Sequence, residues 1–236
     1  MLYISPPFGN YLTYKKSVPV KGTFTWKRRK GIIRRSLMTI RPVSGGWRNN
    51  IGFRNPGIHS VKFQPAITYS ISIIHPYEWK RLLDFLPEGI DLEINLSCPN
   101  VPSVTIPEDM LIPFLEKFPK LTLKTSPIVP LEELEKYAEI GVRHFHMSNA
   151  IPHTKGGISG KQLKKVNLPL IENAAANRQL NSKNVRLIAG GGIYSAQDVI
   201  DYRNAGAHDF AISTAWFSCP WNIPSIYEEA NKGFNG

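Results

Sequence analysis

The chain has 236 residues, a net charge of +11, 42% hydrophobic and 20% charged side chains, which suits one globular domain with a sizeable core. No apolar run approaches the roughly 18 residues of a membrane-spanning helix. The N-terminus, Met1-Leu2-Tyr3-Ile4-Ser5-Pro6-Pro7, lacks the charged leader and apolar stretch of a secretory signal. A soluble, unprocessed, cytoplasmic protein is therefore expected, and two cysteines, Cys98 and Cys219, make no disulfide framework.

The charge is uneven. Between Met1 and Tyr77 lie 13 Lys or Arg and no acid, whereas the remainder carries 16 basic and 18 acidic side chains. A basic first third suits either a solvated face or an anionic partner: phosphate, an acidic substrate, nucleic acid or protein.

In chain order, Leu2–Ser5 is expected to be a strand. Gly9–Lys30 contains Pro19 and Gly22 and has little helical periodicity, so loop is expected there, with Ile32–Leu37 as a second strand. After residue 65 short apolar runs alternate with helix-like segments, the pattern of βα units around a parallel sheet. The strands fall at Ala66–Ile71, Ile90–Leu96, Leu121–Lys124, Arg143–Met147, Val185–Ala189 and Asp209–Ile212. The helices fall at His75–Phe85, Pro107–Phe118, Leu131–Ile140, Lys161–Leu180, Ser195–Ala205 and Ile223–Asn231. Pro107-Glu108-Asp109 has the proline and acids that favour a helix start, and Gly141 and Gly206 suit helix stops. The expected fold is α/β: a compact (β/α)8 TIM barrel over 1–236 with a loop-rich, basic N-terminal third. An open doubly wound sheet shares the same alternation.

The most specific segment is Glu93-Ile94-Asn95-Leu96-Ser97-Cys98-Pro99-Asn100-Val101-Pro102. It leaves an apolar strand and turns at Cys98-Pro99, placing a thiol beside carboxamides at a strand's C-terminal end, where barrel active sites lie. A thiol there can serve as base or nucleophile, and asparagine both donates and accepts. Further on, Gly156-Gly157-Ile158-Ser159-Gly160 opens a helix, while Ala189-Gly190-Gly191-Gly192-Ile193 ends a strand. Such glycines let backbone N–H groups approach a phosphate. Their spacing is not that of a dinucleotide fingerprint. His144 and His146 alternate along a strand without acidic or cysteine partners, so structural roles and no metal are expected, as is a structural role for Cys219. Trp26-Lys27-Arg28-Arg29-Lys30 has the composition of a nucleic-acid contact or an exposed loop.

Asn95-Leu96-Ser97-Cys98-Pro99-Asn100-Val101-Pro102 resembles the catalytic loop of the cysteine-type dihydroorotate dehydrogenases. Further blocks of that family recur in order from Ile4 to about Asn231. The membrane-bound branch has serine at the Cys98 position and a membrane-associating N-terminal extension, so the resemblance is to the soluble branch, in shortened form. It implies Cys98 as catalytic base and Asn49, Asn95, Asn100 and Asn149 around the orotate ring. Asn49 comes from Trp47–Gly57, and Asn149 from Ser148-Asn149-Ala150. It also implies a flavin mononucleotide (FMN) cofactor, with Lys124 facing the flavin and contacts from Ser5, Arg35, Ser36, Ser148, Gly160, Gly191, Gly192, Ser213 and Thr214.

Two departures stand out. Arg35-Ser36 occupies the place assigned to the family's Lys-Ser after the second strand, and arginine is larger, planar and unable to deprotonate. Ser213 precedes Thr214 where the family has glycine. The implied activity is oxidation of dihydroorotate to orotate in pyrimidine biosynthesis. Electrons would go to fumarate or a partner subunit, and a homodimer is compatible. Two alternatives stay open: a tRNA dihydrouridine synthase-like flavoenzyme, which would suit the basic first third, and a non-catalytic flavin- or RNA-binding relative. Ser-Cys-Pro-Asn argues against the first.

Overall fold

Alternating apolar and polar residues on short strands govern the architecture. The structure, a computed structural model, describes residues 1–65, 67–101 and 105–233. In chain order the strands are β1 (Leu2–Ile4), β2 (Val18–Phe24), β3 (Arg41–Val43), β4 (Gly46–Asn49), β5 (Thr68–Ile71) and β6 (Asp91–Asn95). They continue with β7 (Leu121–Thr125), β8 (His144–Met147), β9 (Ile151–His153), β10 (Gly156–Gly160), β11 (Arg186–Gly190) and β12 (Asp209–Ile212). The helices are α1 (Ile32–Thr39), α2 (Glu78–Phe85), α3 (Glu108–Lys117), α4 (Leu131–Ile140) and α5 (Lys164–Ala176). After these come α6 (Arg178–Ser182), α7 (Ala196–Asn204), α8 (Ala215–Ser218) and α9 (Ile223–Ala230).

β1, β2, β5, β6, β7, β8, β11 and β12 follow one another round a closed parallel barrel, and β12 pairs back onto β1. This is a (β/α)8 barrel. Parallel strands need crossovers, which the helices supply. Leu92 and Ile94 on β6, Leu121 and Leu123 on β7 and Phe145 and Met147 on β8 are buried in one core with Leu82, Leu111 and Phe114 of the surrounding helices. Fully burying a side chain of this kind contributes roughly 1.5–3 kcal/mol. The alternate positions, Glu93, Asn95, Thr122, Lys124, His146 and Ser148, are buried polar groups on the interior face. A smaller apolar cluster of Tyr3, Val20, Ile188 and Ala211 fills the rest of that interior.

Local signals place the helix ends. α4 carries Glu132 and Glu133 in its first turn and stops at Gly141, whose φ of 130° favours glycine. Ser195 Oγ caps α7 by accepting from Asp198 N at 3.3 Å.

A second sheet, β3-β4-β10-β9, is antiparallel throughout and comes from the segments after β2 and after β8. Both segments leave the C-terminal ends of barrel strands, so this sheet flanks the barrel mouth.

Four expectations are corrected. Ile32–Leu37 is not a strand but most of helix α1, which starts after Gly31 in a left-handed conformation (φ 92°). Its apolar residues Ile32, Ile33, Leu37 and Ile40 repeat at helical spacing. Gly9–Lys30 is not all loop, because it holds β2, the second barrel strand. Pro19 and Gly22 masked it, yet Pro19 pairs opposite Ile4 and a register shift between Lys21 and Phe24 accommodates the irregularity. Gly156–Gly160 is strand β10, not a helix start, though a short 3-10 turn, Lys161–Leu163, leads directly into α5. Lys161–Leu180 is therefore not one helix. It breaks at Asn177, whose side chain accepts from Leu180 N at 3.0 Å and caps α6. Ala66 of one expected strand and Pro102 of the cysteine segment lie outside the described residues.

Candidate active site

At the C-terminal end of the barrel lies a cavity of about 320 Å³, within the range of small-molecule sites. Its lining combines apolar side chains, Ile40, Trp47, Ile51 and Phe217, with polar ones, Asn49, Lys124, Ser148 and Asn149. Trp47 meets Phe217 edge-on at 4.8 Å and donates from Nε1 to Ser218 Oγ at 2.9 Å, which holds these two apolar side chains in place. A cavity with both apolar and hydrogen-bonding lining suits a ring that also presents polar edges.

Hydrogen bonds join the four asparagines in two pairs. Asn149 Nδ2 donates to Asn95 Oδ1 at 3.2 Å and to Ser97 Oγ at 3.0 Å. Asn100 Nδ2 donates to Asn49 Oδ1 at 3.2 Å, joining the cysteine loop to β4. Asn95 Nδ2 in turn donates to Thr23 Oγ1 at 3.0 Å. Asn100 Oδ1 is buried without a partner among the described residues, an acceptor left for a ligand or water.

Cys98 is half-buried, and it lines a neighbouring cleft with Thr125, Ser126 and Glu133, outside the wall of the main cavity. Burial pushes its thiol pKa up, against the backbone N–H of Asn100 and the charges of Lys124 and Arg29. The thiol is thus neutral at pH 7. Arg29 is the cation that the segment after β2 brings towards Cys98, whereas Arg35 and Ser36 sit on α1 and do not line the cavity. Arg29 was hidden in the basic run Lys27–Lys30, and recognising β2 would have exposed it as a residue just beyond a barrel strand.

On the other flank, Gly191 and Gly192 line the cavity with φ of 78° and 81°. A Cβ on Gly192 would lie 2.6 Å from Lys164 N, so glycine is required there by both conformation and space. Gly160 is likewise closed in: a Cβ would fall 2.4 Å from Gly45 O. Ser213 and Thr214 line the cavity after β12, and Ser213 Oγ donates to Pro6 O at 3.0 Å. Ser5 Oγ lines the same wall, buried and without a partner among the described residues. An orphaned hydroxyl beside left-handed glycines and a lysine fits a phosphorylated ring cofactor. No group of three or more His, Cys, Asp or Glu that could hold a metal occurs among the described residues. Nor is any described helix long and apolar enough to cross a membrane.

Comparison with known proteins follows the same lines. A family model described as dihydroorotate dehydrogenase matches residues 135–233. The catalytic subunit of dihydroorotate dehydrogenase B (NAD(+)) from Oceanobacillus iheyensis is 30% identical over 243 residues, covering 83% of this chain and 77% of that protein. The chain belongs to the dihydroorotate dehydrogenase family.

The corresponding subunit from Staphylococcus carnosus is 27% identical over 226 residues, covering 80% of this chain and 72% of the relative. In fold, the ligand-free DHODH of Eimeria tenella superposes with a TM-score of 0.69 at 19% identity, covering 92% of this chain and 77% of that one. The ferulenol complex of the same organism's DHODH gives 0.63 at 18% identity, with 81% and 68% covered. Family membership makes the chain a dihydroorotate dehydrogenase-like oxidoreductase. Of the residues expected at its site, Ser5, Asn49, Lys124, Ser148, Asn149, Gly191, Gly192, Ser213 and Thr214 line the main cavity. Asn95 and Asn100 join them through hydrogen bonds.

Proposed function

We propose that the chain oxidises dihydroorotate to orotate, with FMN as cofactor and Cys98 as general base. The observation that carries this reading is the amide cluster. Asn49 and Asn149 line the cavity with Lys124, and each is hydrogen-bonded to a further carboxamide, Asn100 and Asn95 respectively. Uncharged amides that both donate and accept match a substrate edged with ring N–H groups and carbonyls.

FMN, when bound, supplies the acceptor for the hydride that leaves C6 of the substrate. The chain's residues do the rest. Ser5, Ser148, Gly160, Gly191, Gly192, Ser213 and Thr214 would hold the cofactor, the glycines by leaving room for backbone N–H groups to meet a phosphate. Lys124 places a cation against the negative charge of the reduced ring. The four asparagines orient the substrate, and Cys98 Sγ takes the C5 proton. Because burial keeps the thiol neutral, its own proton has to leave first, which the charges of Lys124 and Arg29 favour. For Sγ to reach a ring held by the amides, the loop at Ser97–Val101 has to turn the thiol from its cleft into the cavity.

Similarity to catalytic subunits named for NAD(+) supports NAD+ as the final acceptor, reached through a partner subunit. In this reading the reaction belongs to cytoplasmic pyrimidine biosynthesis, where Cys98 and Cys219 stay free thiols. Release of cofactor by heat, followed by chromatography, tests the reading. About one FMN per chain, native or reconstituted, is expected; persistent failure to take up FMN would overturn it.

A further inference from the structure

Inside the barrel, beneath the cavity, lies a buried ionisable pair that the reaction above does not use. His146 Nδ1 and Glu93 Oε2 are 2.7 Å apart, and the two side chains are 2% and 3% exposed. The second oxygen of Glu93 and Nε2 of His146 have no hydrogen-bond partner among the described residues. Strand register explains the placement. Asn95 on β6 lies opposite Lys124 on β7, and Lys124 lies opposite His146 on β8. Glu93, two residues before Asn95, points to the same interior face.

Lys124 is only 8% exposed and opens into the cavity. A cation buried to that degree needs a compensating charge. Burial would raise the pKa of Glu93, but the charges of Lys124 and His146 pull it down to about 2. Burial and Lys124 lower that of His146, against the pull of Glu93. At neutral pH the group therefore reads as an ammonium, a carboxylate and a neutral imidazole whose Nδ1–H donates to the carboxylate.

We propose that Glu93 and His146 are positioning residues: the carboxylate, fixed by the imidazole, offsets the Lys124 ammonium across the barrel interior and sets the net charge a flavin ring meets there. The second half of this rests on the FMN reading above; the first half does not. The imidazole fixes the carboxylate, the carboxylate offsets the lysine, and the lysine alone faces the cavity. Removing the anion would leave the cation's field unopposed and stabilise an anionic reduced flavin.

Two measurements decide it. In the cofactor-free protein, a double-mutant cycle by denaturant unfolding compares Glu93→Gln alone and in a Lys124→Met background. The substitution should weaken folding at least tenfold more in the parent than in the Lys124→Met background. Equal effects in both backgrounds would show a packing role and overturn the pairing. If Glu93→Gln does not fold, folding of the double variant supports the pairing. Failure of the double variant where Lys124→Met folds overturns it. In the FMN-loaded protein, Glu93→Gln should raise the two-electron midpoint potential by at least about 30 mV, the equivalent of tenfold, while Glu93→Asp stays near the parent. Coupling with an unchanged potential overturns the cofactor half. A parent that binds no FMN defeats the proposed function instead, and the unfolding cycle still judges the pair.

Discussion

Asn149 Nδ2 donates to Asn95 Oδ1 at 3.2 Å, so an amide beyond the end of β8 is tied to the last residue of β6, three residues before Cys98. The same amide group reaches Ser97 Oγ. One residue thus braces both Asn95 and the loop that carries the thiol.

Asn149→Ala should therefore weaken orotate binding by about 10- to 100-fold, the equivalent of roughly 1–3 kcal/mol for buried polar groups left unpaired. Titration calorimetry on the FMN-loaded protein measures it, and unchanged affinity would remove Asn149 from the substrate shell.

The raised thiol pKa of Cys98, caused first by burial, predicts a pH dependence. If the thiolate is the base, flavin reduction by dihydroorotate should speed up as pH rises through and above neutrality, levelling off only where the thiol is fully ionised. Cys98→Ser should keep bound flavin and push that rise to still higher pH, because a serine hydroxyl ionises far less readily. Rapid-mixing absorbance from pH 6 to 10 gives both profiles, and a flat parent profile would exclude the thiolate as base.

Gly192→Ala should be severe despite its small size. The φ of 81° and the approach of Cβ to Lys164 N oppose any side chain. Backbone strain of this kind costs roughly 1–3 kcal/mol. Reduced unfolding stability with loss of FMN uptake is expected; full stability would mean that the glycine turn relaxes easily.

Glu93 and His146 predict acid lability. Both pKa values are depressed in the folded state, from 4.5 to about 2 for Glu93 and from 6.5 for His146. The unfolded chain binds these protons first, so the stabilising contribution is present above the unfolded values and is lost as pH falls. For His146 the loss begins near pH 6.5, and for Glu93 it runs from about 4.5 towards 2. The thermal midpoint of the parent should fall across these windows, and more gently in Glu93→Gln/His146→Gln. Identical slopes would show that other groups govern the acid limb.

Most of the later two-thirds of the fold was legible in the sequence because most apolar runs there carry their own punctuation, the exception being Gly156–Leu180, which holds a strand and a broken helix. Pro107 and the acids after it mark the start of α3, Gly141 ends α4, and Ser195 caps α7. The first third was not, for physical reasons. Gly22 reads as a breaker, yet its missing Cβ lets β2 approach Ser70 O, to which a Cβ would lie 2.2 Å away. Displacing the second strand to Ile32–Leu37 moved the expected flavin-side cation to Arg35, while the structure puts Arg29 near Cys98. The asparagine and glycine positions came from the motif resemblance, and their cavity placement could be found only in three dimensions. The Glu93–His146 pair was unreadable because its partners lie 53 residues apart and meet only across the barrel interior.

The basic first third leaves a separate expectation. Lys27, Arg28 and Lys30 are exposed. A solvated face should give no saturable tRNA binding even at low salt. Binding that falls steeply with salt and disappears when all three become Ala would instead favour the tRNA-modifying alternative.

The most direct measurement is anaerobic mixing of the FMN-loaded protein with dihydroorotate, followed by flavin absorbance. The yellow absorbance should bleach with one equivalent of substrate and release orotate, and Cys98→Ala should bleach on the order of 100-fold more slowly with its flavin retained. A parent that holds FMN but is not reduced by dihydroorotate, or a Cys98→Ala variant reduced at the parent's rate, would contradict the assignment of this chain's site and base.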